Sequence, residues 1–197
     1  MTTQKTSLLR GLLTSAIVMA CFSLPDFINP GLAAGSSPSS AMSFEQQVQR
    51  LIDIEDIKIL KRRYAAACDD DYNVEKLGVL FTEDAVWDGA EYGGAATRQG
   101  IQDFFSSTPE FVKFALHYVI NPIIEVDGDT ATGQWLLWQP MVMHEDDQAM
   151  VLTARYDEQY VRQDGQWLIK YIKVTIESLG PYGGKFGKAP VPETDPS

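Results

Sequence analysis

The polar and apolar positions of this chain change rhythm near its middle. In the first half, Ile54, Ile57, Leu60, Tyr64 and Cys68 recur at three or four, the stripe of a helix with one buried face. Ser43 with Gln46 three residues on forms a capping-box pattern, so a helix is predicted over about 44–68. The run Ala65-Ala66-Ala67 lets another element approach it closely. Asp69-Asp70-Asp71 ends it, because carboxylates near a helix C-terminus oppose the dipole at about 0.3–1 kcal/mol each when exposed. Asn73 is read as the cap of a second short helix running to Phe81, followed by a short strand at Ala85-Val86-Trp87 and a glycine-rich loop from Glu91 to Thr97. A third helix covers Gly100 to Ser106, and Thr108-Pro109 opens a fourth short one, proline being favoured at the first helical position.

After residue 116 the period becomes two. Strands are predicted at about 117–126, 130–143, 148–162 and 166–178, with turns at Asp127-Gly128, His144 to Asp147 and Asp164-Gly165. Asp-Gly between apolar runs suits a type I′ turn, whose two central residues both need positive φ. Helices first and an antiparallel meander second is an α+β pattern. The expected architecture is a strongly curved, cone-shaped antiparallel sheet whose concave side is covered by the N-terminal helices. The Gly- and Pro-rich residues 180–197 read as an irregular tail.

Within the first long strand, alternation puts His117, Val119, Asn121 and Ile123 on one face, an imidazole and a carboxamide among apolar side chains. The opposite face, with Tyr118, Ile120, Ile124 and Val126, is apolar as well. One face can line the cone; the other needs a cover, and a homo-oligomer, dimer or trimer, is expected to supply it.

Length and composition bound the rest. The chain has 197 residues, enough for one domain with a full core. Lys5 and Arg10 precede an apolar run from Leu12 to Leu24, with small residues at Gly31, Ala33 and Ala34, so residues 1–34 read as a cleaved secretory signal peptide. Val18-Met19-Ala20-Cys21 loosely resembles a lipobox, but the apolar residues after Cys21 and the later alanine pair favour the other cleavage. Residues 35–42 are a linker, 43–179 the domain, and the destination is secreted or periplasmic. The net charge of −11 excludes attraction to nucleic acid or anionic membranes. With Cys21 in the signal, Cys68 has no cysteine to pair with. Two histidines, His117 and His144, without a Cys/His cluster give no reason to expect zinc.

Several segments together resemble the SnoaL-like group of the nuclear transport factor 2-like fold. They are Tyr64 with Asp69 five residues on, Phe81 to Asp88, Gly100-Ile101, His117 with Asn121, Val126 to Ala131, and Asp164 to Trp167. The resemblance implies the α+β cone already described and a small-molecule cavity. Scytalone dehydratase and the bile-acid dehydratases, the chemically nearest members, use a tyrosine and an aspartate from the first helix and a histidine from the first long strand. The matching residues are Tyr64, Asp69 and His117. Removing water β to a carbonyl needs a base for the α-proton, which an imidazole supplies near neutral pH. A phenol can donate to the developing enolate, and a carboxylate can hold the imidazole in one tautomer. On an ideal helix Asp69 points roughly 140° away from Tyr64, so it reaches the same space only if the helix ends there. Asn121, Trp87, Phe105, Trp135, Gln139 and Tyr156 are the candidate substrate-binding walls. No cofactor is implied, and the expected ligand is a small hydrophobic carbonyl compound.

The resemblance has one gap. The relatives carry a further His or Asp on the second long strand, and residues 130–143 have neither. A dehydratase, an isomerase and a non-catalytic binding protein with the same cavity all remain open.

Overall fold

In the computed structural model, residues 42–145 and 147–183 are described; the predicted signal segment, the linker up to residue 41 and the tail from residue 184 lie outside them. The elements are α1 (Phe44–Asp69), α2 (Val74–Gly78), β1 (Phe81–Asp88), β2 (Gly94–Ala96), α3 (Arg98–Ser106), β3 (Val112–Ala115), β4 (Tyr118–Asp127), β5 (Thr130–Met143), β6 (Ala149–Gln163) and β7 (Gln166–Pro181). Single 3₁₀ turns sit at Ala90–Tyr92 and Thr108–Glu110. The fold is α+β, with α1 leading into a curved mixed sheet.

Helix α1 starts where the capping box places it. Ser43 Oγ accepts the Gln46 N–H at 3.2 Å, and Gln46 Oε1 accepts the Ser43 N–H at 2.8 Å. Ile57, Leu60, Tyr64 and Cys68 are buried as the stripe requires. The same face also buries Asp53 and Lys61, which hydrophobic periodicity does not register.

The sheet runs in the order β2-β1-β7-β6-β5-β3, with β4 also paired to β5. The four long strands are antiparallel as expected, but β1 lies parallel to β7 and makes the sheet mixed. Two expectations are corrected here. The second helix stops at Gly78 instead of reaching Phe81, and the strand predicted at 85–87 starts at Phe81. Phe81 pairs with Ile169 of β7, so a distant ladder supplies the backbone partners that one more helical turn would have supplied locally. The loop 91–97 contains the short strand β2, paired antiparallel to β1. Residues 180 and 181, expected in the tail, still belong to β7, because Pro181 pairs with Met150.

Strand β5 alternates strictly: Ala131, Gly133, Trp135, Leu137, Gln139 and Met141 point inward. Gly133 is required by its neighbour, since a Cβ there would lie 2.8 Å from the Tyr160 ring. The turn at Asp164-Gly165 has φ 50° and 76°, the type I′ pattern. The β4–β5 turn sits one residue later than predicted. Asp127 pairs with Thr130, so Gly128 and Asp129 are central, and only Gly128 has positive φ (59°).

The largest departure lies in β4. Its register with β5 shifts between Ile120 and Ile123, and Asn121 at the bulge has φ 52°. A bulge adds a residue and resets the alternation. Beyond it Ile124 and Val126 pack against the core, while Asn121 and Ile123 are exposed. The predicted face of His117, Val119, Asn121 and Ile123 therefore exists only as far as Val119.

Candidate active site

The site is built where α1 stops. Asp71 and Tyr72 both adopt φ 52°, so the chain reverses and Tyr72 is carried back into the interior. Left-handed geometry at two non-glycine residues costs about 1–2 kcal/mol each. It is held by the Asn73 N–H, which donates to Ala67 O at 2.9 Å, and by the Tyr72 ring stacked on Phe105 at 5.7 Å.

Asp69 is the last residue of α1, so its carboxylate stands at the open end of the helix. Its Oδ1 lies 2.8 Å from the backbone N of His117 and 2.8 Å from His117 Nδ1. His117 stands just before β4, fixed there because the Leu116 N–H donates to Pro140 O at 3.1 Å. The imidazole side chain is 5% exposed and the Asp69 carboxylate 27%. Oδ1 accepts the backbone N–H and faces Nδ1 from the same side, which favours the tautomer with hydrogen on Nδ1 and leaves Nε2 with its lone pair.

One wall of a cavity of about 440 Å³ is formed by His117. Tyr64, Trp87, Phe105, Gln139 and Tyr156, all expected from the sequence, line it. So do Tyr72, Phe104 and Phe111, which the sequence reading missed. Trp87 and Phe105 pack edge to face at 5.1 Å, and Phe104 lies 5.1 Å from Trp87. The adjacency of Phe104 to Phe105 on α3 was the available signal for Phe104; Tyr72 had none, since its inward turn depends on two left-handed residues. Two candidates stand elsewhere. Asn121 is exposed on the bulge, outside the cavity. Trp135 is core: its Nε1 donates to the Tyr160 hydroxyl at 2.9 Å, and its ring borders a separate small groove between α1 and β4.

The cavity hydroxyls are donors, not bases. Burial raises the Tyr64 and Tyr156 phenols well above the ordinary range, and nearby Cys68 adds to this. Burial likewise raises Tyr72, against a hydrogen bond from Gln139. Burial pushes the Cys68 thiol up to about 12, so it is no nucleophile. Among the described cavity residues, His117 is the group suited to moving a proton near neutral pH.

A second buried set was not foreseen. Lys61 forms an ion pair with Glu158, and the Tyr160 hydroxyl donates to the same carboxylate. Both charged side chains are enclosed, 1% and 0% exposed. Strand alternation places Glu158 beside Tyr156 and Tyr160, which was the signal available for it.

Known proteins place the arrangement in context. An uncharacterised protein of Mycobacterium tuberculosis is 30% identical over 124 residues, 62% of this chain and 84% of its own length. A protein of Novosphingobium aromaticivorans named as a candidate scytalone dehydratase superposes with a TM-score of 0.65 at 20% identity, over 76% of this chain and 99% of its own. The hexachlorocyclohexane dehydrochlorinase LinA-type3 of Novosphingobium barchaimii superposes with a TM-score of 0.64 at 22% identity, over 74% and 99%. These superpositions establish a shared fold. The SnoaL-like domain model matches residues 49–173, which include most of α1, the sheet as far as the middle of β7 and both members of the Asp69–His117 pair, and the chain belongs to the SnoaL-like domain family.

Proposed function

We propose that the protein is a cofactor-independent lyase or isomerase that abstracts a proton from carbon next to a carbonyl in a small, largely apolar compound. The observation that carries this is the 2.8 Å contact of Asp69 Oδ1 with His117 Nδ1 at the wall of an aromatic cavity. His117 Nε2 takes the α-proton, and the C–H electron pair passes into an enolate. Asp69 stabilises the imidazolium and holds its orientation. A tyrosine hydroxyl donates to the enolate oxygen. Gln139, the inward polar residue of β5 at the cavity, does not transfer protons, so the same imidazole returns its proton, either to another carbon or to a leaving hydroxyl on the same face. The names of the structural neighbours, a dehydratase and a dehydrochlorinase, both describe eliminations and support the lyase form.

The test is deuterium exchange. A panel of small cyclic ketones incubated with the protein in D₂O should show α-proton loss by NMR, and His117→Gln should abolish it. Saturable binding without exchange across the panel would replace this reading with the second one, a binding protein that uses the cavity as a container. That reading is favoured by the absence of any acid or base on the inward face of β5.

Two further expectations stand as proposals. Export through residues 1–34 is checked by N-terminal sequencing of the mature protein. Assembly is proposed through the outer face, where Tyr118 and Ile120 pair with Trp138 and Leu136 and all four are exposed. A second copy of the chain is the proposed cover, and sedimentation showing only monomer at micromolar concentration overturns it.

A further inference from the structure

Behind the cavity wall lies a buried ammonium to which proton abstraction assigns no part. Lys61 Nζ sits 3.6 Å from the centroid of the Tyr156 ring and 4.2 Å from that of Tyr64. Burial pulls its pKa down, and the Glu158 carboxylate opposes that loss of charge. The carboxylate is shared between two donors, Lys61 and the Tyr160 hydroxyl, and Tyr160 in turn accepts from Trp135 Nε1. Packing alone does not call for such a pair, because replacing a buried ion pair by apolar groups of similar volume is often neutral or stabilising. What singles the site out is the surface it touches. Both rings under the ammonium belong to tyrosines that line the cavity.

The two tyrosines share the ammonium against their rings and border the cavity together. Trp87 Nε1 donates to the Tyr64 oxygen at 3.1 Å. The Tyr64 and Tyr156 rings meet edge to face, their centroids 6.3 Å apart. Tyr156 lines the cavity, so its O–H can donate to an oxygen that fills it. A cation against the ring faces favours negative charge developing on the phenol oxygens and so strengthens the Tyr156 O–H as a donor, while the Glu158 carboxylate acts the other way on both phenols.

We propose that Tyr156 is the donor of an oxyanion subsite, taking an enolate- or phenolate-type oxygen, and that Lys61, paired with Glu158, is the positioning residue that polarises it. The catalytic consequence rests on the proton-abstraction reading; the binding of an oxyanion does not.

The probe is 4-nitrophenol, whose phenolate is read by visible absorbance, set against 4-nitrotoluene, a neutral molecule of the same shape. The full chain should bind the phenolate in preference to the toluene. The paired replacement Lys61→Met with Glu158→Gln should lose roughly tenfold or more of the phenolate affinity and leave 4-nitrotoluene unchanged, the size expected for a charge-assisted hydrogen bond. Tyr156→Phe, which keeps the ring and the ion pair, should show the same selective loss. Equal weakening of both probes means the pair only packs, and the proposal is overturned. It is also overturned if the parent shows no phenolate preference. His117→Gln separates this from the catalytic reading. Deuterium exchange should disappear in that variant while the phenolate preference survives; if the preference vanishes too, the imidazole holds the anion and Lys61 does not act as proposed.

Discussion

Helix α1 carries two aspartate contacts to the sheet side, one from its N-terminal half and one from its C-terminal end, and the two are opposites. Asp53 is sealed. Arg162 Nη2 lies 2.8 Å from its Oδ2, while Gln49 Nε2 and Trp167 Nε1 donate to Oδ1 at 3.1 and 3.3 Å. The guanidinium lies 4.5 Å over the Trp167 ring and also reaches Asp129, at the β4–β5 turn. Asp69 is open, with its hydrogen bonds concentrated on one oxygen, both to His117. A guanidinium cannot give up its proton at any working pH; an imidazole can. The same residue type on the same helix thus makes a permanent tie at one end and an adjustable pair at the other. The adjustable pair borders the cavity, and the permanent one lies outside its lining.

The largest expected effects come from the open end. His117→Gln and Asp69→Asn should each lower exchange or turnover by about 10²–10⁴-fold, the range for losing a general base or its orienting carboxylate. Thermal stability should change little, because both replacements keep the volume and a hydrogen-bonding group. If either variant melts far below the parent, the contact is structural and the contrast between the ends fails.

Between the ends sits Lys61, and its truncation should be the costliest for stability. Lys61→Ala leaves Glu158 buried without its cation and should cost about 3–5 kcal/mol in denaturant unfolding. The paired change Lys61→Met with Glu158→Gln should recover most of that.

The sealed end responds to acid. Burial acts to raise the Asp53 carboxyl, but the hydrogen bonds from Arg162, Gln49 and Trp167 outweigh it and hold the pKa below the ordinary 3.8. The folded pKa is depressed, so the unfolded chain takes up the proton first. The tie contributes fully above the ordinary carboxylate value and is lost as pH falls through the folded one. Melting followed from about pH 5 to about pH 2 should show a steeper loss for the parent than for Asp53→Asn. At neutral pH that variant should be less stable by about 1.5–3 kcal/mol. Parallel curves would show that Asp53 is not the group being protonated.

What the sequence revealed follows from which forces are local. The capping box at Ser43, the stripe from Ile57 to Cys68 and the turn at Asp164-Gly165 are decided by neighbours within a few residues, and all three were legible. The Phe81–Ile169 pairing is decided by a strand far along the chain, so the start of β1 was read as helix. Lys61 shows the same limit: alternation sets Glu158 on the face of Tyr156 and Tyr160, but nothing local names Lys61, far off on α1, as its partner. Asp69 and His117 were nameable through the family resemblance, but their contact depends on α1 stopping at Asp69, an end point that periodicity does not fix to the residue.

Asn121 gives the smallest effect and the sharpest check on that argument. Read by alternation it belonged to the cavity with His117; the structure puts it on a bulge at φ 52°, exposed. Its role is then to tolerate a left-handed backbone, which asparagine does more readily than most residues and glycine more readily still. Asn121→Gly should leave stability within about 1 kcal/mol of the parent, and Asn121→Ala should lose about 1 kcal/mol, because alanine keeps the Cβ but lacks the short polar side chain that eases asparagine into the left-handed region. Neither should alter ligand binding or exchange, since the carboxamide does not face the cavity. A selective loss of binding in Asn121→Ala with Asn121→Gly unaffected would trace to a distorted bulge moving His117. Equal loss in both, at unchanged stability, would instead put the carboxamide on the ligand and restore the simple alternation that the bulge displaced.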